Sequence, residues 1–159
     1  MKEYTETKFI RDLQHLPGKY KSLTNKIMET ISIPFHGKIY ILVVLFLYLI
    51  KKISTSQIYI LCSSQIISFI IKYIIKRKRP FETDKGIQLL EQMNFDKYSF
   101  PSGHTLNAYL LSDILKENIG VNLDFLPYIV GLSRVYLGVH YPTDVIGSIL
   151  LSKIILHSL

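Results

Sequence analysis

The 159 residues are enough for one domain with a sizeable core, and 48% of them are hydrophobic. The formal net charge is +7, from 19 basic and 12 acidic side chains that crowd into residues 2–29 and 72–97 and leave long apolar runs between them. That clustering excludes the evenly charged surface of a soluble domain and predicts an all-α, polytopic membrane helix bundle, while the basic excess fits anionic lipid, nucleic acid or phosphate equally well.

In residues 1–30, Tyr4 is followed by Phe9, Leu13, Leu16, Tyr20, Leu23 and Ile27, which recur three or four apart, continue to Ile31, and are interrupted by Pro17-Gly18. The pattern predicts two short amphipathic helices lying on a bilayer surface, where they also cap the bundle. The start lacks the charged head, apolar centre and cleavage site of a signal peptide. Residues 1–30 are therefore read as interfacial helices and residues 31–159 as the transmembrane bundle. A first span is expected from about Ile33 to Ile50 and a second from about Ser56 to Ile75. At about 1.5 Å per residue each covers the roughly 30 Å hydrocarbon core. Cys62, the only cysteine, excludes a disulfide framework or a cysteine metal site and reads as a small core residue of the second span.

Residues 81–100 form a polar connection in which Ile87, Leu90 and Phe95 predict a short surface helix. A third span is expected from Pro101 to about Leu115, a fourth from about Leu123 to Val139 and a fifth from Pro142 to about Leu156. Asn107, Asp113 and Asp144 interrupt these spans, and intramembrane polar side chains face a bundle interior or its mouth. With five spans, an alternating path puts the ends near Arg79, Pro101, Arg134 and His140 on one side, together with the start of the first span and the N-terminal helices.

Those ends carry the chemistry. On a continuous helix Lys72, Lys76 and Arg79, spaced by four and three, share a face that could hold a phosphate, Arg79 as a planar fork and Lys72 as a point charge. Lys76, Arg77 and Lys78 read as headgroup contacts, because the run follows an apolar helix and ends in Pro80; this favours a membrane boundary over a nucleic-acid patch. Pro101-Ser102-Gly103-His104 reads as a helix start, with Ser102 as N-cap, Gly103 allowing close approach and the first-turn amides facing an anion. His104 then stands at the edge of a phosphate, where an imidazolium can protonate a leaving oxygen, although an ordinary helix cap has the same sequence. His140 and Asp144 are one helical turn apart: either the carboxylate takes the Nδ1–H and leaves Nε2 as a nucleophile, or the two merely satisfy each other. Pro142 fits the first turn of the helix carrying Asp144, and Arg134 is near enough to join the cations.

Lys72 followed after six residues by Arg79-Pro80, then Pro101-Ser102-Gly103-His104, then Ser133-Arg134, His140 and Asp144, resembles the three-part signature of the type 2 phosphatidic acid phosphatase superfamily over residues 72–144. The resemblance implies that His140 attacks phosphorus and forms a phosphohistidine, that Asp144 orients it, and that His104 protonates the leaving group and then activates water. It implies that Lys72, Arg79 and Arg134 bind phosphate oxygens with help from Ser102 and the Gly103 amide, with no metal and no cofactor. Members commonly have six spans; here the helices of residues 1–30 stand in place of the first. The stretch from Arg134 to Asp144 is similar to bacterial undecaprenyl-diphosphate and phosphatidylglycerophosphate phosphatases, so the expected partners are a polyprenyl or glycerolipid phosphate and the bilayer, not nucleic acid. The alternatives are a vanadate-binding oxidant of the haloperoxidase type, against which five apolar spans argue, and a non-catalytic protein binding anionic lipid. Relatives place the site on the extracytoplasmic face, and the cell (inner) membrane is the expected location. The charge pattern points the other way: of the 19 basic residues only Lys51, Lys52, Lys116 and Lys153 fall opposite the site.

Overall fold

The computed structural model describes residues 2–91 and 96–158, and every regular element among them is helical. Helix α1, Lys2–His15, stops before Pro17-Gly18, where Gly18 takes a φ of 48°; a 3-10 turn then leads into α2, Lys21–Ser32. The two predicted N-terminal helices are present, and their apolar stripe faces outward. Tyr4, Phe9, Leu16, Tyr20, Leu23 and Ile27 are exposed, while Glu6, Thr7, Ile10 and Gln14 are buried. A surface helix of a water-soluble protein does the reverse.

Pro34 sits in a second 3-10 turn, and the axis bends by 53° into α3, Gly37–Leu49. Helix α4, Thr55–Ile75, opens on a capping box in which the Ser54 hydroxyl accepts the Gln57 N–H and the Gln57 side chain accepts the Ser54 N–H. It closes at Lys76, whose φ of 52° is left-handed. After the four-residue α5, Pro80–Thr83, come α6, Gly103–Ile119, α7, Leu126–Tyr136, and α8, Pro142–Ser158.

Helix α6 is central, packing on α4, α7 and α8, and α4 also meets α8. Leu106, Ala108, Leu110 and Val130 form a fully buried core. Apart from Leu61 on α4 and Ile155 on α8, the buried positions of these two helices are small or polar: Ser64, Ser68 and Lys72 on α4, and Asp144, Ser148 and Ser152 on α8, each set spaced by four. The bulky apolar side chains point out, among them Ile41, Leu42 and Phe46 on α3, Phe69 and Ile74 on α4, and Leu150 and Ile154 on α8. Small residues at helix contacts with apolar residues outside is how helices pack when the surroundings are as apolar as leucine. By length and composition, among the described residues, Thr55–Thr83 could cross a membrane alone, and Gly18–Phe35 with Gly37–Leu49 could do so as a bent pair.

Five expectations of the fold change. The first span, expected from about Ile33 to Ile50, is broken at Pro34, and its straight part, α3, has 13 residues. Helix α7 has 11 residues rather than the predicted 17, so at about 1.5 Å per residue it is too short to cross a roughly 30 Å core by itself. Cys62 is exposed on α4 and is not a core residue. The surface helix expected around Ile87 and Leu90 is absent from the described residues, and Phe95 lies outside them. Tertiary partners take that backbone instead: Gln14 bonds both the N–H and the C=O of Gln88, and the Leu90 N–H donates to Leu137 O. Lastly, Lys72, Lys76 and Arg79 do not form one helical ladder: α4 ends at the left-handed Lys76, and Arg79, the residue before Pro80, is extended (φ −79°, ψ 154°).

Candidate active site

The start of α3, the ends of α4 and α7, the start of α6 and the approach to α8 meet at one end of the bundle around a cavity of about 380 Å³. Lys72, Arg79, Gly103, His104, Arg134 and His140 line it. Ser102 and Asp144 are fully buried and do not line it. His36, Lys38, Gln65, Asp96 and Asn107 complete much of the wall and were not singled out by the sequence motifs.

Each cation is held by oxygen atoms. Lys72 Nζ donates to Pro101 O at 2.7 Å and Tyr98 O at 3.1 Å, and lies 3.4 Å from Asp96 Oδ2. Arg79 donates to Asp96 O and Val139 O, both at 2.8 Å, and to Tyr98 O at 3.2 Å. Arg134, with no exposed surface, donates to Ser32 Oγ at 3.0 Å and Glu91 Oε2 at 2.5 Å, while its Nε is buried without a hydrogen-bond partner among the described residues. Backbone carbonyls orient Lys72 and Arg79 while leaving much of their positive charge for an anion.

His104 stands in the first turn of α6, its Nε2 buried and without a hydrogen-bond partner among the described residues. Ser102 occupies the N-cap position as expected, but its hydroxyl accepts the Thr105 O–H at 3.0 Å and caps no first-turn amide. His140 is delivered by a tight turn after α7 in which Gly138 has a φ of 80°; a Cβ there would sit 2.6 Å from Gln88 O. Only glycine fits that turn comfortably. His140 Nδ1 is 3.5 Å from Asp144 Oδ2, longer than a hydrogen bond. The same carboxylate accepts the Tyr141 N–H at 2.9 Å and an Arg77 N–H at 2.6 Å.

Arg77 is a correction. Expected at the headgroups, it is instead bound to Asp144 and, at 2.8 Å, to Glu6 of α1. After the left-handed Lys76 the chain is no longer helical through Arg79, so helical spacing does not decide which side chains turn inward. Lys76 and Lys78 are exposed, Arg77 is half-buried and Arg79 is buried. Glu91 was missed as well, and nothing in the local pattern marks it.

Burial holds the His140 imidazole well below its usual value of 6.5, and the charges of Arg79, Lys72 and Arg134 add to the effect. The ring is therefore neutral at pH 7. The unfolded chain takes up a proton near pH 6.5 that the native His140 refuses, so this group's contribution to stability is complete above pH 6.5 and declines as the pH falls. Denaturation in detergent should show wild type losing stability relative to His140→Gln below pH 6.5, by up to about 1.4 kcal/mol per pH unit. A difference that does not change between about pH 7.5 and 5 would contradict this.

The family model of the PAP2 superfamily matches residues 53–158, two thirds of the chain. The chain belongs to the PAP2 superfamily. Bacillus subtilis phosphatidylglycerophosphatase B is 30% identical in an alignment 99 positions long that covers 54% of this chain and 45% of that protein. An undecaprenyl-diphosphatase of Sulfolobus acidocaldarius is 36% identical in an alignment 103 positions long that covers 55% of this chain and 48% of that one. The matches thus span about half the length of these relatives. The crystal structure of Aquifex aeolicus LpxE superposes with a TM-score of 0.75 at 21% identity, covering 95% of this chain and 92% of that one, and so shares the fold. The PAP2 match takes in all three motifs and leaves α1, α2 and α3 outside it.

Proposed function

We propose that this PAP2 protein is an integral membrane phosphatase that hydrolyses a polyprenyl or glycerolipid phosphomonoester or diphosphate through a phosphohistidine. The observation that carries the reading is the convergence of Lys72, Arg79 and Arg134 with His104 and His140 on one cavity at the end of an apolar bundle. The three cations hold phosphate oxygens, helped by the Gly103 amide, with Ser102 supporting that turn from behind. His140 Nε2 attacks phosphorus, Asp144 orients the ring, and the bond to the leaving oxygen breaks as His104 supplies its proton. His104 then takes a proton from water, which attacks the phosphohistidine and releases inorganic phosphate. Cations placed around the phosphoryl group perform the charge stabilisation, so the reaction needs no metal.

The named activities of the relatives support a lipid phosphate as substrate. In this reading α3, α4, α6, α7 and α8 are the five embedded helices of residues 31–159, and residues 1–30 lie in the interface with Tyr4, Phe9, Leu16 and Leu23 turned to lipid. The active site faces the extracytoplasmic side of the cell membrane, which reporter fusions at both termini would test.

Purified full-length protein should release phosphate from at least one of undecaprenyl diphosphate, undecaprenyl phosphate, phosphatidylglycerophosphate and phosphatidic acid, and should do so equally in EDTA. No release above the His140→Ala control from any of these lipids would overturn the proposal. Loss of release in EDTA would overturn its metal-free form.

A further inference from the structure

We propose that Glu6 of α1 and Arg77 are positioning residues for the His140–Asp144 pair, which makes the N-terminal helix a working part of the site. The inference rests on the phosphatase reading above. Bonds from Arg77 and Glu6 converge on Thr143 and Asp144. Arg77 Nη1 donates to Asp144 Oδ1 at 2.6 Å and to Thr143 Oγ1 at 2.7 Å, and Nη2 donates to Glu6 Oε2 at 2.8 Å. Its guanidinium lies 3.7 Å from the centroid of the Tyr141 ring. Glu6 Oε1 accepts the Thr143 N–H at 2.9 Å and the Thr143 O–H at 2.7 Å.

A carboxylate on α1 therefore caps the first turn of α8 from outside, where the helix dipole favours negative charge. That turn carries Asp144 and follows directly on His140. Neither Glu6 nor Arg77 lines the cavity, so neither is placed to touch substrate. Both lie outside the residues that the family motifs mark, and Glu6 lies outside the PAP2 match.

The charged and titratable groups facing His140 are Lys72 and Arg79 from the α4 side, Arg134 on α7, His104 on α6 and Asp144 on α8. Arg77 neutralises much of the Asp144 carboxylate. Without it, the carboxylate pulls a proton onto His140, and the nucleophile is protonated at a higher pH.

The test compares Arg77→Ala, Arg77→Lys, Glu6→Gln and Glu6→Ala in the full-length protein, with wild type and His140→Ala as references. Arg77→Ala should lower kcat about 10- to 100-fold at nearly constant KM, the size expected for a misplaced reacting group. The acid limb of its kcat/KM profile should move up by about one pH unit. Arg77→Lys should restore the limb and part of kcat, and the Glu6 variants should lower kcat without moving KM. Wild-type kcat and an unmoved limb in Arg77→Ala and Glu6→Ala would overturn the inference. So would losses that only follow a falling denaturation midpoint, the mark of a purely structural contact. If Arg77→Ala does not fold, Arg77→Lys and Glu6→Gln carry the same comparison. A wild type that releases no phosphate would instead sink the phosphatase reading. The titration of the His140 ring by NMR then still decides, because an unmoved midpoint in the Arg77 variants overturns the inference without any turnover.

Discussion

Replacing His140 with alanine should lower phosphate release at least about 10⁴-fold while leaving the fold intact, because deleting a nucleophile removes the step on which the other groups act. The structure explains why the fold should tolerate the change. His140 lines an existing cavity, and its Nδ1 makes no hydrogen bond among the described residues. Truncation enlarges space already open to substrate instead of opening a void in the apolar core, and it strands no partner of Nδ1. Asp144→Asn should cost less activity and more stability, since that carboxylate also serves Arg77 and the Tyr141 amide. Phosphate assays and detergent denaturation of both variants would check the contrast. A His140→Ala protein retaining about a tenth of wild-type release would exclude His140 as nucleophile.

The sequence is legible where local rules act alone. Pro17-Gly18 separates α1 from α2, Ser54 opens α4 next to the predicted Ser56, and Pro142 starts α8 as expected. It misleads where two local rules compete, as in residues 76–79. There the apparent helical spacing of Lys72, Lys76 and Arg79 loses to the left-handed end of α4 at Lys76 and to the extended backbone that Pro80 favours at Arg79. Tertiary contacts are beyond reach for a different reason. Glu6 pairs with Arg77 across 71 positions and Gln14 with the Gln88 backbone across 74, and no periodicity records either. The outward stripe of α1 agrees with the expected surface helix; what its spacing does not record is that Glu6 and Gln14 find their partners on the inward face.

Arg134→Ala should damage both fold and activity, and the two losses should separate in a double variant. Arg134 is fully buried, and the Glu91 side chain it holds is only 1% exposed. Removing the cation strands a buried carboxylate, a change that typically costs about 3–5 kcal/mol. It also takes away a charged donor from the phosphate, worth about 10²–10³-fold in turnover. In Arg134→Ala/Glu91→Ala the stranded charge is gone, so stability should recover much further than activity does. Arg134→Lys should keep a positive charge yet lose the fork that reaches Ser32 and Glu91 together, giving intermediate turnover. Denaturation midpoints and phosphate release, measured on wild type and these three variants, test this directly. If the double variant regained wild-type turnover, Arg134 would be an architectural partner of Glu91, and phosphate binding would fall to Lys72 and Arg79 alone.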